Sequence, residues 1–363
     1  MQDLVLEIPY GMMDYLPKEA REKQLLEGRF RRLFDTWGFE EISTPTIEYL
    51  STLSLGSSKT QDYFKLFDKN NRTLALRHEM TTPIARVVAS RLVGEDLPLK
   101  LSYIANVFRP EVSRAGRLSE FTQAGIEFIG SSTNLSDAEV VALCFTLLKE
   151  SGLSSFNISL GHVEFINGLL ENIPPALRSE IETAIISKNL VQLEELAQNL
   201  PDTTRQILVE LPFMRGDIAS LQQWQKKELN ARSKAALADL AELYRLLTAF
   251  NAEQAITFDL GMVRDFSYYT GMVFEAYTRG IGYPVAGGGR YDKLLEQFGV
   301  TAAATGFAVG IERILLALAR QGSTDTASSK ISVEYTEGEE IAAIKKAMQL
   351  RAKGERVDLV CQG

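Results

Sequence analysis

Residues 100–129 read KLSYIANVFRPEVSRAGRLSEFTQAGIEFI, and this stretch decides the fold class. Two segments with strand character, Lys100–Arg109 and Glu120–Ile129, are linked by RPEVSRAGRLS, which carries three arginines. Strand follows strand here without the regular alternation of strand and helix that builds a parallel sheet. The stretch therefore predicts an antiparallel sheet within an α+β fold.

The second of these strands, EFTQAGIEF, has two different faces. Because side chains alternate across a strand, Gln123, Gly125 and Glu127 share one face, and the apolar residues between them share the other. We expect the apolar face to lie in the core. The opposite face presents an amide and a carboxylate on either side of a residue without a side chain. This pattern is typical of a pocket floor, and a solvated outer face of the sheet is the alternative interpretation.

Helical and strand patterns extend on both sides of this pair. Apolar residues recur at helical spacing from Pro17 to Gly38, which predicts an amphipathic first helix. Residues from about 174 to 250 are helical in pattern and predict a helical insertion. Strand patterns return in AITFDL and GMVFEAY, and are followed by AGGGRYD, TGFAVG and the helix GIERILLALARQ. We therefore expect a core over 1–322, a polar linker over 323–330 and a short C-terminal β-α-β remnant over 331–363.

The composition excludes several classes of site. The 363 residues are 45% hydrophobic and 24% charged, which is typical of a globular protein. Two cysteines and two histidines are too few for a disulfide framework or for a thiolate or histidine metal centre, so we expect no metal. Neither a dinucleotide fingerprint nor a P-loop occurs, and we expect no cofactor.

The charge and hydropathy patterns of the sequence indicate the location of the protein and the partners that it can bind. The net charge of −8 provides no general basic surface for nucleic acid, although a local basic groove can exist on an acidic protein. The chain shows no secretory pattern and no apolar run of the roughly 18 residues that a membrane span needs. We therefore expect a cytoplasmic protein that contacts no membrane.

Three other segments carry polar residues suited to a ligand. LRHEMTTP places Glu79 and Thr81 where a strand gives way to a helix, and Thr81 or Thr82 could be the N-cap of that helix. In MVRDFSYYTG, only one of Tyr268 and Tyr269 is expected to face a given cavity, since neighbours on a strand point to opposite sides. The glycines of AGGGRYD predict close approach of the backbone to a ligand, or else a bulge or tight turn.

In this order, the segments resemble the core of class II aminoacyl-tRNA synthetases, and within them the histidyl-tRNA synthetases. VFRPE with GRLSEFTQAGIE resembles motif 2, and GFAVGIERI resembles motif 3. MVRDFSYYTGMVFE and AGGGRYD resemble the two histidine-specific signatures. The resemblance covers residues from about 9 to 320. It implies a six-stranded antiparallel sheet flanked by helices, a helical insertion after residue 174 and dimerisation through the N-terminal region.

The resemblance also implies roles for individual residues. Seven are expected around a bound histidine: Glu79, Thr81, Gln123, Glu127, Arg264, Tyr268 and Tyr269. Carboxylate and amide oxygens suit the ammonium group, Arg264 suits the carboxylate, and Glu127 with one tyrosine, Tyr269 by alignment, suits the imidazole. Three arginines match those that hold ATP phosphates in the synthetases: Arg109, Arg117 and Arg313.

The chain departs from the synthetase pattern at several positions. Gly116-Arg117-Leu118-Ser119 lacks the second loop arginine, Tyr10 replaces the arginine of the synthetase opening, and the R-G-L-D-Y-Y signature becomes RDFSYY at 264–269. Only 43 residues follow Arg320, whereas an anticodon-binding domain needs on the order of a hundred. LRHEMTTPIARV resembles a family of synthetase paralogues, the regulatory subunits of ATP phosphoribosyltransferase.

This second resemblance implies a non-catalytic sensor of L-histidine that acts in histidine biosynthesis. It implies assembly with the short-form ATP phosphoribosyltransferase catalytic subunit, as a homodimer within a hetero-oligomer, and feedback inhibition by histidine. Two alternatives stay open. One is a histidyl-tRNA synthetase with a truncated anticodon-binding domain. The other is a tRNA-sensing synthetase-like module, which the lack of a basic arm disfavours, so tRNA is not an expected partner.

Overall fold

A computed structural model describes residues 6–56, 62–110, 118–262, 268–322 and 330–362. The chain divides into two compact units, Met1–Asp14 with Lys23–Ser323 and Tyr15–Glu22 with Thr324–Gly363. The predicted linker over 323–330 lies outside the described residues except for Lys330. The predicted helical insertion is occupied by five helices, α6 to α10, from Pro175 to Ala249.

The described residues form strands and helices in the following order along the chain. The strands are β1 Glu40–Glu41, β2 Ile47–Tyr49, β3 Lys65–Phe67, β4 Thr73–Leu76, β5 Leu99–Phe108, β6 Glu120–Ile129, β7 Phe156–His162, β8 Arg215–Gly216, β9 Ile256–Asp259, β10 Met272–Thr278, β11 Ala286–Arg290, β12 Ala304–Gly310, β13 Ile331–Tyr335 and β14 Val357–Cys361. The α-helices are α1 Pro17–Thr36, α2 Leu50–Leu53, α3 Thr81–Arg91, α4 Asn134–Glu150, α5 Val163–Leu169, α6 Pro175–Ser187, α7 Leu190–Ala197, α8 Asp202–Glu210, α9 Ile218–Trp224, α10 Ala231–Ala249, α11 Ile311–Arg320 and α12 Glu340–Ala352.

The main sheet has nine strands in the order β1-β5-β6-β12-β11-β10-β7-β9-β8. Its six central strands, from β5 to β7, run antiparallel to one another, as the resemblance implied. Three short strands widen it beyond that expectation: β1 runs parallel to β5, β9 runs parallel to β7, and β8 pairs antiparallel with β9. The fold is therefore α+β, with a mixed sheet whose centre is antiparallel.

The β5–β6 pair forms as predicted and sets the two faces of the sheet. Its register runs from Leu99 opposite Ile129 to Phe108 opposite Glu120. Ala124 and Ile126 are fully buried, and with Phe128 they belong to the large core that contains the apolar residues of α4 and α10. Gln123 and Glu127 therefore point to the other face, where they are free to contribute to a site.

The Gly-rich run AGGGRYD is neither a bulge nor a tight turn, and that interpretation was wrong. Residues Ala286–Arg290 form β11, which pairs with β10 and β12 in the middle of the sheet. A Cβ atom on Gly288 would lie 2.1 Å from the carbonyl oxygen of Gly306. The glycine is thus required because the neighbouring strand leaves no room for a side chain.

A buried ion pair joins β11 to the first turn of α4. Arg290 Nε lies 3.0 Å from Asp137 Oδ2, and Arg290 Nη2 lies 2.9 Å from Asp137 Oδ1. Both side chains are about nine-tenths buried. Arg290 Nη1 also donates to the carbonyl oxygen of Ser131 at 3.0 Å, so the guanidinium fixes the start of the helix against the sheet.

We predict that Arg290→Met lowers the free energy of unfolding by about 3–5 kcal/mol, because it leaves the Asp137 carboxylate buried without its partner. Urea unfolding followed by circular dichroism measures the change. Arg245→Met is the matched control, since Arg245 pairs with Glu242 on the exposed face of α10 and its loss should change little. Equal stability of the two variants would contradict the assignment.

Candidate functional site

A cavity of about 490 Å³ lies over β6, β11 and β12. Its floor is formed by strand residues, and its walls come from the start of α3, the end of β5 and the segment before β10. The lining residues are Gly56, Asp62, His78, Glu79, Thr81, Arg109, Pro110, Gln123, Glu127, Tyr268, Tyr269, Gly287, Gly288, Tyr291, Gly306, Phe307 and Ala308. The volume suits a small organic ligand. The structure therefore brings together seven of the ten predicted site residues, six from the histidine set and Arg109.

Glu127 lies at the centre of the cavity floor and is 2% exposed. Its carboxylate accepts hydrogen bonds from Thr81 Oγ1, at 2.8 Å, and from the Tyr291 hydroxyl. Burial raises the pKa of Glu127 to about 8, the nearby Glu79 adds to the rise, and the two hydrogen bonds oppose it. The opposite residue on β12 is Gly306, where a Cβ atom would lie 2.4 Å from Glu127 Oε2. A glycine is needed there to make room for the carboxylate.

Glu79 and Thr81 do not act as the prediction of a threonine N-cap implied. The N-cap position of α3 is Met80, and Thr81 and Thr82 already lie within the helix, so the prediction of a threonine cap was wrong. Both Glu79 carboxylate oxygens instead accept from the Thr82 backbone N–H at 3.1 Å. Thr81 is thereby free to donate to Glu127. Glu79 both stabilises the helix start and faces the cavity.

Gln123 contributes an unused acceptor. Its side chain is 9% exposed, and its Oε1 atom is buried without a hydrogen-bond partner among the residues that the structure describes. A buried polar atom normally has a partner in a folded protein. An unpaired oxygen beside a cavity is suited to a ligand that donates a hydrogen bond.

The cavity floor is less open than the sequence suggested. Tyr103 lies opposite Gly125 on the neighbouring strand, and a Cβ atom on Gly125 would lie 2.5 Å from the Tyr103 hydroxyl. The ring of Tyr103, 1% exposed, therefore fills the space that the glycine leaves. Burial raises the pKa of Tyr103 well above its usual value, so the hydroxyl keeps its proton.

Tyr268 and Tyr269 both line the cavity, and the prediction that only one of them does so was wrong. They precede β10, which begins at Met272, so the alternation of a strand does not apply to them. Their rings meet edge to face with centroids 4.8 Å apart. Tyr268 stacks on Tyr291 at 5.4 Å, which builds one aromatic wall from two segments of the chain.

The predicted arginines do not all lie at the cavity. Arg109 lines the cavity, and its Nε donates to the carbonyl oxygen of His78 at 2.8 Å. Arg313 is not among the lining residues: its Nη1 donates to the carbonyl oxygen of Pro284 at 2.8 Å, and its guanidinium lies over the Tyr283 ring. Arg117 and Arg264 lie outside the described residues.

Three lining residues with polar side chains were absent from the predicted set: Asp62, His78 and Tyr291. Tyr291 belongs to the run AGGGRYD. Its contact with Glu127 joins residues 164 positions apart, so no local sequence pattern predicts it. Burial lowers the pKa of His78, and its Nδ1 atom is buried without a hydrogen-bond partner in the described ranges. Its ring packs edge to face on Tyr63 with centroids 5.0 Å apart.

The described residues contain no group of three or more histidine, cysteine, aspartate or glutamate side chains placed to hold a metal ion. None of the described helices has the length and apolar character of a membrane span. The cavity instead offers hydrogen-bond acceptors from Glu79, Gln123 and Glu127 beside an aromatic wall. Such a set suits a small ligand with several N–H donors and a flat ring.

Comparisons with known proteins identify the family and the fold. Residues 11–314 match the family model described as histidyl-tRNA synthetase. An ATP phosphoribosyltransferase regulatory subunit of Moorella thermoacetica is 41% identical, over 98% of this chain and 92% of its own length. A crystal structure from Bacillus halodurans, described as an ATP phosphoribosyltransferase regulatory subunit/histidyl-tRNA synthetase, is 36% identical. It superposes with a TM-score of 0.88 over 98% of this chain and 93% of that chain. Histidyl-tRNA synthetase from Nostoc shares the fold, with a TM-score of 0.83 at 22% identity over 99% of this chain and 86% of that chain.

We predict that the Glu127 carboxyl makes stability fall as the pH rises from about 4.5 to about 8. In this window the unfolded chain releases the proton, while the folded chain, whose pKa is near 8, retains it. The slope is at most about 1.4 kcal/mol per pH unit, and it ends above the folded pKa because both states are then ionised. Glu127→Gln has no such proton, so its stability relative to the wild type should increase with pH.

Urea unfolding at a series of pH values between 5 and 9 tests this prediction. Glu120→Gln is the control, because Glu120 lies on the same strand but outside the lining of the cavity. Parallel pH profiles for Glu127→Gln and the wild type would show that Glu127 is ionised in the folded protein.

Proposed function

Since the chain belongs to the family of ATP phosphoribosyltransferase regulatory subunits, we propose that it assembles with the catalytic subunit of that enzyme and binds L-histidine in its cavity as a feedback signal. The observation that carries the proposal is the buried Glu127, held by Thr81 and Tyr291 beside an aromatic wall. A regulatory subunit needs a site for its effector. The cavity is built in the part of the chain that matches the histidyl-tRNA synthetase model.

An imidazole fits beside Glu127 in either protonation state of the carboxyl. A protonated carboxyl donates to the bare ring nitrogen, and an ionised carboxylate accepts from the ring N–H. The rings of Tyr268 and Tyr291 provide a flat apolar surface for the imidazole face. Selectivity over other amino acids follows because a side chain without a matching polar group would leave Glu127 buried beside an apolar surface.

The α-amino group of histidine has three acceptors available. Glu79 supplies a carboxylate, Gln123 supplies an oxygen that has no partner in the described structure, and Thr81 supplies a hydroxyl oxygen. Hydrogen bonds from an ammonium group to such acceptors are among the stronger ones in proteins. We assign the α-carboxylate to Arg264, which stays a prediction, as does the contact of Arg109, Arg117 and Arg313 with ATP phosphates.

Feedback inhibition requires that histidine bind one state of the complex better than the other, since a ligand with equal affinity for both shifts nothing. By linkage, substrates of the catalytic subunit should weaken histidine binding by the same factor by which histidine weakens theirs. The proposal includes a homodimer within the hetero-oligomer and a cytoplasmic location, both of which stay predictions.

We predict that histidine binds the isolated chain and that Glu127→Gln weakens the binding at least about tenfold, because the variant cannot provide a charge or an acidic proton to the imidazole. Isothermal titration calorimetry measures both affinities. Glu120→Gln should bind as the wild type does. Equal affinity of wild type and Glu127→Gln, or no heat at about millimolar histidine, would refute the assignment of the cavity.

We also predict that turnover of the short-form catalytic subunit rises when this chain is added and that histidine then inhibits the mixture. With Glu127→Gln the histidine concentration for half inhibition should rise by the same factor as the dissociation constant, because both depend on one site. A steady-state assay of phosphoribosyl transfer measures this. Turnover that is unchanged by addition of the wild-type chain would rule out the regulatory role.

A further inference from the structure

A second cavity, of about 240 Å³, is separate from the first and is lined by polar residues that the proposed function does not use. It is formed by the start of α4, the junction of β7 and α5, one face of α10 and the segment before β10. The charged and polar side chains that line it are Ser132, Asn134, Asp137, His162, Glu164, Arg232, Asp239, Thr270 and Arg290.

Some of these side chains form hydrogen bonds with one another or with their neighbours. Asp137 accepts two hydrogen bonds from Arg290. Glu164 accepts from Asn167 Nδ2 at 2.7 Å with one oxygen and from Arg232 Nε with the other. These pairs hold the wall of the cavity together. Among the titratable side chains of the lining, His162, Arg232 and Asp239 keep unused hydrogen-bonding capacity in the described part of the chain.

His162 is the buried member of the three, with a side chain that is 7% exposed. Its Nδ1 accepts from the Glu164 backbone N–H at 3.2 Å, so the proton of the neutral ring lies on Nε2. Burial lowers the pKa of His162 to about 4, which keeps the ring neutral near pH 7. Nε2 lies 3.7 Å from Asp239 Oδ2, beyond hydrogen-bond distance, and has no other partner in the described part of the chain.

A hydroxyl group lying to one side of His162 Nε2 and Asp239 Oδ2 can hydrogen-bond to both atoms, which are 3.7 Å apart. A hydroxyl oxygen accepts from the Nε2–H, and its proton is donated to the carboxylate, so one group satisfies both neighbours. Asp239 is 52% exposed and has one long contact, at 3.4 Å from Asn134 Nδ2, so its carboxylate retains acceptor capacity.

Arg232 lies seven residues before Asp239 on the same face of α10, about 10 Å away along the helix axis. Its Nε pairs with Glu164, and its two terminal nitrogens have no hydrogen-bond partner within the described ranges. Terminal guanidinium nitrogens match the oxygens of a phosphate or carboxylate. The cavity thus has guanidinium donors at one end, beside the Glu164 carboxylate, and groups that can bind a hydroxyl, on His162 and Asp239, at the other.

We propose that this second cavity binds a small hydroxylated organic anion, with the anionic group on the terminal nitrogens of Arg232 and a hydroxyl group shared by His162 and Asp239. The inference does not depend on histidine binding in the first cavity, since none of the residues that carry it line that cavity. Ribose 5-phosphate and glycerate are suitable probes, because they represent the phosphate and the carboxylate form of such a ligand.

Isothermal titration of the full chain with each probe tests the proposal. We expect at least one probe to bind, and ribose alone or inorganic phosphate alone to bind at least about tenfold more weakly, since each satisfies one end only. Arg232→Gln and Asp239→Ala should each weaken the probe at least about tenfold. Arg245→Gln is the matched control, because Arg245 lies on the same helix and pairs with Glu242 away from the cavity.

Three results would overturn the proposal. They are no binding of either probe at about 5 mM, binding by Arg232→Gln and Asp239→Ala that equals that of the wild type, and binding of phosphate alone that equals that of ribose 5-phosphate. If Arg232→Gln fails to fold because Glu164 loses its partner, Asp239→Ala decides the question, since its half-exposed side chain makes no short contact.

Discussion

The carboxyl group of Glu127 is buried in the middle of an antiparallel sheet, and the shape of the first cavity follows from how that group is accommodated. A buried carboxylate without hydrogen bonds would be costly, and the chain supplies donors from two distant places. Thr81 lies at the start of α3, and Tyr291 directly follows β11. The same hydrogen bonds that reduce the cost also fix α3 and β11 against β6, so the walls of the cavity are held in place by its floor.

Glycines provide the room that this arrangement needs. Gly306 stands opposite Glu127, and Gly288 stands where the adjacent strand approaches most closely. Larger residues at either position would push neighbouring strands apart. The aromatic residues occupy the spaces that remain, with Tyr103 above Gly125 and Tyr268 stacked on Tyr291. A sheet built in this way offers a rigid floor for a small ligand, and this is what a sensor needs if binding is to distinguish two states of a complex.

The features predicted correctly from the sequence are those governed by local periodicity. The β5–β6 pair and the face shared by Gln123 and Glu127 follow from a repeat of two residues, and they occur as expected. The roles of Thr81, Tyr268 and Tyr291 depend instead on where a helix begins, where a strand begins and which distant segments meet. The resemblance to a family grouped seven residues that line the first cavity, but it could not show that Arg313 binds the backbone of Pro284 rather than lining the cavity.

The central claim is that histidine occupies the first cavity with its imidazole beside Glu127. A crystal structure of the chain grown with L-histidine tests this most directly. We expect one histidine over β6, with a ring nitrogen within hydrogen-bond distance of a Glu127 oxygen and the amino group near Gln123. A histidine bound elsewhere on the chain while this cavity contains only water would contradict it.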